Sequence, residues 1–154
     1  DAKLIICGDG DVQENLKRLA RQLNVENQVE FKGQVLPENL LHITRNCKVG
    51  VMLLENKGLS YYYSLANKFF DYVHAGVPQL VIDFPEYAHL NKKYNVGLLT
   101  SLNVNEIREK LRLLLTDEEL YNQLVANCEQ AKHELNWQHE QQKLISFYEK
   151  LWQV

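Results

Sequence analysis

The chain has few cysteines, no excess of positive charge and no long apolar run, and each lack excludes something. Its three cysteines, Cys7, Cys47 and Cys128, are odd in number, far apart and set in apolar surroundings. That fits reduced, buried thiols rather than a disulfide framework. No two of them share a ligand-like spacing, which argues against a metal site. With 17 Lys+Arg against 20 Asp+Glu the net charge is −3, and the pI is near 6.0. No basic field therefore exists to hold nucleic acid or an anionic membrane surface nonspecifically, and any anionic ligand must be held locally. No apolar run approaches the roughly 20 residues of a transmembrane helix, and no signal peptide precedes the first apolar run, so a cytoplasmic, soluble protein is expected. Low complexity and internal repeats are absent. The chain starts at Asp1 without a methionine, and the expectation is a domain cut from a longer protein.

What remains can build one core. At 154 residues, 45% hydrophobic and 24% charged, residues 1–154 are expected to form a single domain. Apolar runs predict short strands at Lys3–Cys7, Val29–Phe31, Val49–Leu54, Gln79–Ile82 and Val96–Leu99. Between them, helical spacing predicts helices over Val12–Leu23, from Pro37 through Ile43, over the segment before Gly76, and over Pro85–Tyr94 with Tyr87 and Leu90 inward. From Asn103 the pattern is helical to the end: Val104–Leu115, Glu118–Leu135 and Gln138–Leu151. Strands alternating with helices predict an α/β fold, an open parallel Rossmann-like sheet with helices on both faces. In such sheets ligands sit beyond the carboxyl ends of the strands, where four polar or glycine-bearing loops are expected to converge: Gly8–Asp11, Gly33–Val35, Glu55–Ser64 and Asp83–Glu86.

The richest stretch is Ser60–Pro78. A tyrosine-rich loop ends at Ser64, and a short helix carries Asn67, Lys68 and Asp71 on its first turns before Gly76 and Pro78 stop it. Free amides at a helix N-terminus attract an anion, and Ser64, Asn67 and Lys68 add donors and a charge there. One turn further in, Asp71 can accept hydrogen bonds from sugar hydroxyls. The same residues also read as ordinary helix-start chemistry, with Ser64 a cap, Asn67 and Lys68 solvated, and Asp71 complementing the dipole.

Other features are weaker. Gly8-x-Gly10, between a strand and a helix, is a partial dinucleotide fingerprint without its third glycine, and Asp9 and Asp11 crowd it with negative charge. It reads better as a turn needing positive φ, with Asp9 and Asp11 as turn and cap residues. Tyr61, Tyr62 and Tyr63 either stack on a base or sugar or pack their loop against its own helix. The histidines His42, His74, His89, His133 and His139 form no nucleophile or zinc pattern.

The string Ser64 to Pro78, reading Ser-Leu-Ala-Asn-Lys-Phe-Phe-Asp-Tyr-Val-His-Ala-Gly-Val-Pro, resembles the donor-binding segment of retaining GT-B glycosyltransferases of the family 4 type. It departs from them at Ala66, where proline is usual, and at Asp71, where glutamate is usual. Gly8-x-Gly10, Phe31-Lys32-Gly33-Gln34-Val35, Asn46 to Val51 and Tyr94 to Leu98 are also similar, so the likeness covers nearly the whole chain. The resemblance implies the C-terminal, donor-binding half of such an enzyme, lacking its first strand–helix unit. It implies a nucleotide diphosphate sugar donor, UDP-sugar favoured, with no cofactor and no metal, and a role in polysaccharide biosynthesis. By it, Lys68 and Asp71 are carried as catalytic, and Gly8, Gly10, Gln34, Val35, Glu55, Ser64, Leu65, Asn67, Lys68 and Asp71 as donor contacts, with Gln34 and Val35 beside the base.

The partners implied are the donor and an N-terminal acceptor-binding domain, with membrane association only through that domain and no nucleic acid. Alone, the chain is expected to bind donor without catalysing transfer. The family's pair of glutamates falls at Asp71 and at Tyr63, which cannot act as a carboxylate, and Glu55 is the alternative for the first. Two rivals stand beside this reading: a non-catalytic regulatory or assembly module of the same fold, and half of a nucleotide-sugar epimerase. The family's sheet order places the missing strand between Lys3–Cys7 and Val49–Leu54, a gap of about 10 Å. Either those two strands pair directly or a segment of another chain is expected to fill the slot.

Overall fold

The computed structural model describes residues 2–152. The chain divides into two compact units, one ending at Ile43 and the other beginning at Thr44. In the first, β1 (Leu4–Cys7) leads through α1 (Gln13–Gln22) and a single 3-10 turn (Glu26–Gln28) to β2 (Val29–Gly33), and α2 (Pro37–Arg45) begins there. β1 and β2 pair in parallel, Leu4 opposite Val29 and Ile6 opposite Phe31, until the register slips and Cys7 faces Gly33. The apolar stripe of α1 is the expected one, yet only Ala20 is buried, and Leu16, Leu19 and Leu23 stay exposed.

The second unit holds most of the core. Its elements are β3 (Gly50–Met52), α3 (Leu59–Tyr62), α4 (Asn67–Ala75), β4 (Gln79–Ile82), α5 (Pro85–Tyr94), β5 (Gly97–Thr100), α6 (Val104–Thr116), α7 (Glu118–Ala131) and α8 (Trp137–Trp152). The strands form a parallel sheet in the order β3-β4-β5. Because side chains alternate across a strand, Val81 and Leu99 join a cluster with Met52, Phe69, Val73, Tyr87, Cys128 and Ala131. Leu80 and Leu98 join a second cluster, with Leu114 and Leu124. The first cluster draws on α4 and α5, the second on α6, and α7 contributes to both. Every residue of β4 is buried, as expected of a parallel strand covered on two sides. Burial pushes the Cys128 thiol up to about 12.

Two glycines allow the close approaches this sheet needs. A Cβ on Gly97 would lie 2.1 Å from the Gln79 carbonyl oxygen, and one on Gly50 would lie 2.5 Å from the Tyr72 ring. The Tyr72 hydroxyl also donates to the Val51 carbonyl at 3.3 Å. Polar side chains then fix the later elements. Asn91 on α5 accepts from the amides of Val96 (3.0 Å) and Gly97 (3.1 Å) and donates to the Gly97 carbonyl (3.0 Å). Asn103 caps α6 by accepting from Asn105 and Glu106, and Asp117 caps α7 by accepting from Leu120.

The fold is the expected mixed α/β arrangement of parallel strands with helices around them, but its five described strands make two small sheets rather than one. Of the two strands expected to meet directly, Lys3–Cys7 has its ladder with β2 inside the first unit and Val49–Leu54 has its ladder with β4 inside the second. An apolar run specifies burial but not a partner. For the same reason β3 is shorter than its run, since only Gly50–Met52 meet β4, while Leu54 still packs against the first cluster. A short helix, α3, stands where a loop was expected, and α7 ends at Ala131 rather than Leu135. No described helix is long and apolar enough to cross a membrane.

The Gly97 contact predicts that Gly97→Ala lowers the unfolding free energy by about 3 kcal/mol or more, because backbone must move to admit the methyl group. Urea denaturation checks this, and an unchanged midpoint would contradict the close approach of β4 and β5.

Candidate donor-binding site

Half of the residues singled out in the sequence, Ser64, Leu65, Asn67, Lys68 and Asp71, lie just before or within the first turns of α4. The helix is positioned by its inner face, where Phe69 and Val73, one turn apart, are fully buried. Burial of such side chains stabilises by about 1.5–3 kcal/mol each, more than the roughly 1 kcal/mol a cap typically supplies. Its end is fixed by Gly76 in the left-handed region at φ 72. There Gly76 N–H donates to Val73 and Val77 N–H to Tyr72, closing a Schellman motif. His74 bonds the Leu135 carbonyl at 2.6 Å.

With Phe69 and Val73 inward, Asn67, Lys68 and Asp71 are left exposed. Lys68 and Asp71 are three residues apart and share the outer stripe of the first turns. Their side chains make no hydrogen bond or ion pair with another described residue. The amides of Asn67 and Lys68, first in the helix, have no intrahelical acceptor. The arrangement offers an anion two amides, a dipole end and an ammonium group, with a carboxylate a turn away for a hydroxyl.

Ser64 has a different part from the cap considered for it. The cap position belongs to Ala66, extended at φ −78 and ψ 142, which has no side chain to cap with. Ser64 Oγ instead donates to the Tyr61 carbonyl at 2.7 Å and lies 3.4 Å from Tyr87 Oη. The Ala66 amide donates to the same Tyr87 oxygen at 3.0 Å. Leu65, between them, is 38% exposed. Glu55 is exposed and paired with Lys57 at 3.2 Å. Of the three tyrosines, Tyr62 packs its loop down against Phe84, ring centroids 5.2 Å apart, while Tyr61 and Tyr63 stay exposed.

The remaining candidates lie in the first unit. Gly8, at φ 134, follows β1 and donates its amide to Gly33 at 2.7 Å. Asp9 accepts from the Gly10 amide at 2.8 Å, the turn role expected of it. Asp11 does not cap α1, since Val12 occupies that position. Gln34 is exposed and Val35 half-buried, just after Gly33 at φ 62.

A family model described as "Glycosyl transferases group 1" matches residues 1–131. The chain belongs to this glycosyltransferase family. No curated protein sequence matches it. Among solved structures, sucrose-phosphate synthase from Thermosynechococcus elongatus aligns with a TM-score of 0.79 at 19% identity, over 97% of this chain and 38% of that one. HepE of Anabaena, in complex with UDP, aligns at 0.74 and 16% identity, over 96% and 41%. WaaG, a glycosyltransferase involved in lipopolysaccharide biosynthesis, aligns at 0.66 and 21% identity, over 86% and 33%. These likenesses establish a GT-B, Rossmann-like fold, and the chain spans 33% to 41% of these three structures.

Sequence reasoning placed Tyr87 inward but missed its hydroxyl. The signal was available, because a tyrosine at a core position needs a polar partner for its oxygen.

Since Lys68 and Asp71 are exposed and unpaired, Lys68→Ala and Asp71→Asn are each expected to change stability by less than about 0.5 kcal/mol. Thermal melts of both variants check this, and a large loss for either would mean that the residue serves the fold.

Proposed function

We propose that the chain binds a nucleotide diphosphate sugar, a UDP-sugar in preference, as the donor half of a retaining glycosyltransferase of the family 4 type. The observation that carries this is the exposed, unpartnered set of Asn67, Lys68, Asp71 and the first amides of α4 in a chain of this family. HepE was solved with UDP and WaaG acts in lipopolysaccharide biosynthesis, which supports UDP and a polysaccharide product by analogy. As the sugar–phosphate bond breaks, the leaving diphosphate gains charge. The helix-end amides and Lys68 meet that charge without reorganising, while Asp71 accepts from the ribose hydroxyls. No metal is required for this.

Ser64 and Leu65 contribute through the backbone leading into α4. In the first unit, Gln34 and Val35 read the base, and Gly8 and Gly10 leave room for the donor. The sugar passes to an acceptor hydroxyl held by a further domain of the whole, cytoplasmic protein, through which any membrane association runs. Without that domain the chain binds donor but does not transfer.

One observation favours a second reading, a non-catalytic module of the same fold. Tyr63 stands at the first carboxylate position of the resembled family, and the nearby Glu55 is engaged by Lys57.

Calorimetry should show saturable UDP binding at millimolar concentration or below; none with either UDP or GDP rejects donor binding. Lys68→Ala should weaken UDP by about 1–3 kcal/mol, the worth of a charge-assisted hydrogen bond, and leave uridine almost unchanged. Equal losses for both ligands would show that Lys68 acts through the fold.

A further inference from the structure

We infer that Tyr87 is a positioning residue for the donor: from α5 it holds the start of α4, and with it the Asn67 and Lys68 amides and the Lys68 side chain. The inference rests on the diphosphate reading of that helix end.

Tyr87 is completely buried, its ring set against Phe69 with centroids 5.9 Å apart. Its hydroxyl is therefore held to a fixed point, and that point is the cap of α4. The Ala66 amide donates to Tyr87 Oη, and the Tyr87 hydroxyl has Ser64 Oγ within reach at 3.4 Å. Ser64 Oγ–H is already committed to the Tyr61 carbonyl, so the oxygen of Ser64 is left to accept. The donors then run in one direction, from Ala66 N–H to Tyr87 O–H to Ser64 O–H to the Tyr61 carbonyl. One buried phenol thus ties together α3, the 64–66 connection, the start of α4 and α5.

Most helices fix their first turn with a cap side chain, and Ala66 has none to offer. Here the hydrogen bond that the Ala66 amide donates to a rigid neighbour, Tyr87, holds that turn instead. The amides aimed at a diphosphate act only if they are held in place before the ligand arrives, because ordering them on binding costs affinity.

Tyr87→Phe keeps the ring and removes the oxygen. In ¹⁵N relaxation of the ligand-free chain, the backbone order parameters of Ala66, Asn67 and Lys68 should fall. UDP affinity, measured well below the unfolding midpoint, should drop about three- to tenfold, the range for one lost neutral hydrogen bond. Adding Ala66→Pro to Tyr87→Phe should restore affinity to within about twofold, since the φ of −78 at Ala66 lies in proline's range and proline has no N–H to leave unpaired. A melting point lowered by Tyr87→Phe with unchanged order parameters and UDP affinity overturns the inference. So does an affinity loss that Ala66→Pro deepens. If the unmodified chain binds no UDP while the order parameters still fall in Tyr87→Phe, the anchoring by Tyr87 stands and the diphosphate reading alone is lost.

Discussion

β4 has no exposed residue, and the second unit is arranged to keep it so. A parallel strand cannot leave a face in water and still anchor two layers of helix, so both faces must be covered. Leu80, Val81 and Ile82 each stabilise the fold by about 1.5–3 kcal/mol through burial. The exposed ion pairs, such as Lys93–Glu134 at 2.9 Å, are screened by solvent and contribute far less. Apolar packing therefore decides where the helices lie. The charges of Glu134 and Lys93 decorate that arrangement, although the pairing does lower the pKa of Glu134.

The chemistry of α4 follows from that packing. A helix of nine residues with Phe69 and Val73 pinned inward has no freedom to choose what it shows to solvent. Asn67, Lys68 and Asp71 are presented because the core takes the opposite stripe. The positive end of the helix is bare because Ala66 lacks a capping oxygen. A fully satisfied helix start would have no donors left for a ligand.

Much of this was legible in the residues. Short apolar runs located all five described strands, and helical spacing most of the helices, because burial selects apolar residues on every covered face. The helix carrying Lys68 and Asp71 was legible too, bounded by Gly76 and Pro78. Strand partners were not, since Ile6 and Val51 look alike whichever neighbour they meet. Nor was the exchange of roles between Ser64 and Ala66. A serine before a helix reads as a cap, but here the helix starts three residues later and the Ser64 hydroxyl is engaged by the Tyr61 carbonyl and by Tyr87, over twenty residues further on. α3 was hidden because four residues, Leu59–Tyr62, are too few to establish a period.

Sheet order leaves β5 at the border of its sheet, with one row of peptide groups turned away from β4. Such a row normally invites another strand to join it, in a neighbouring molecule or a growing fibril. A carboxamide is a peptide group in miniature, and Asn91 pairs with both the amide and the carbonyl of Gly97 as a strand residue would. Two residues along, on the same side, the ammonium of Lys110 takes the Leu99 carbonyl at 2.5 Å. The border is thus already occupied by the protein's own side chains. Self-association through β5 must first displace an asparagine and a lysine, a barrier against polymerisation that needs no extra strand to build it.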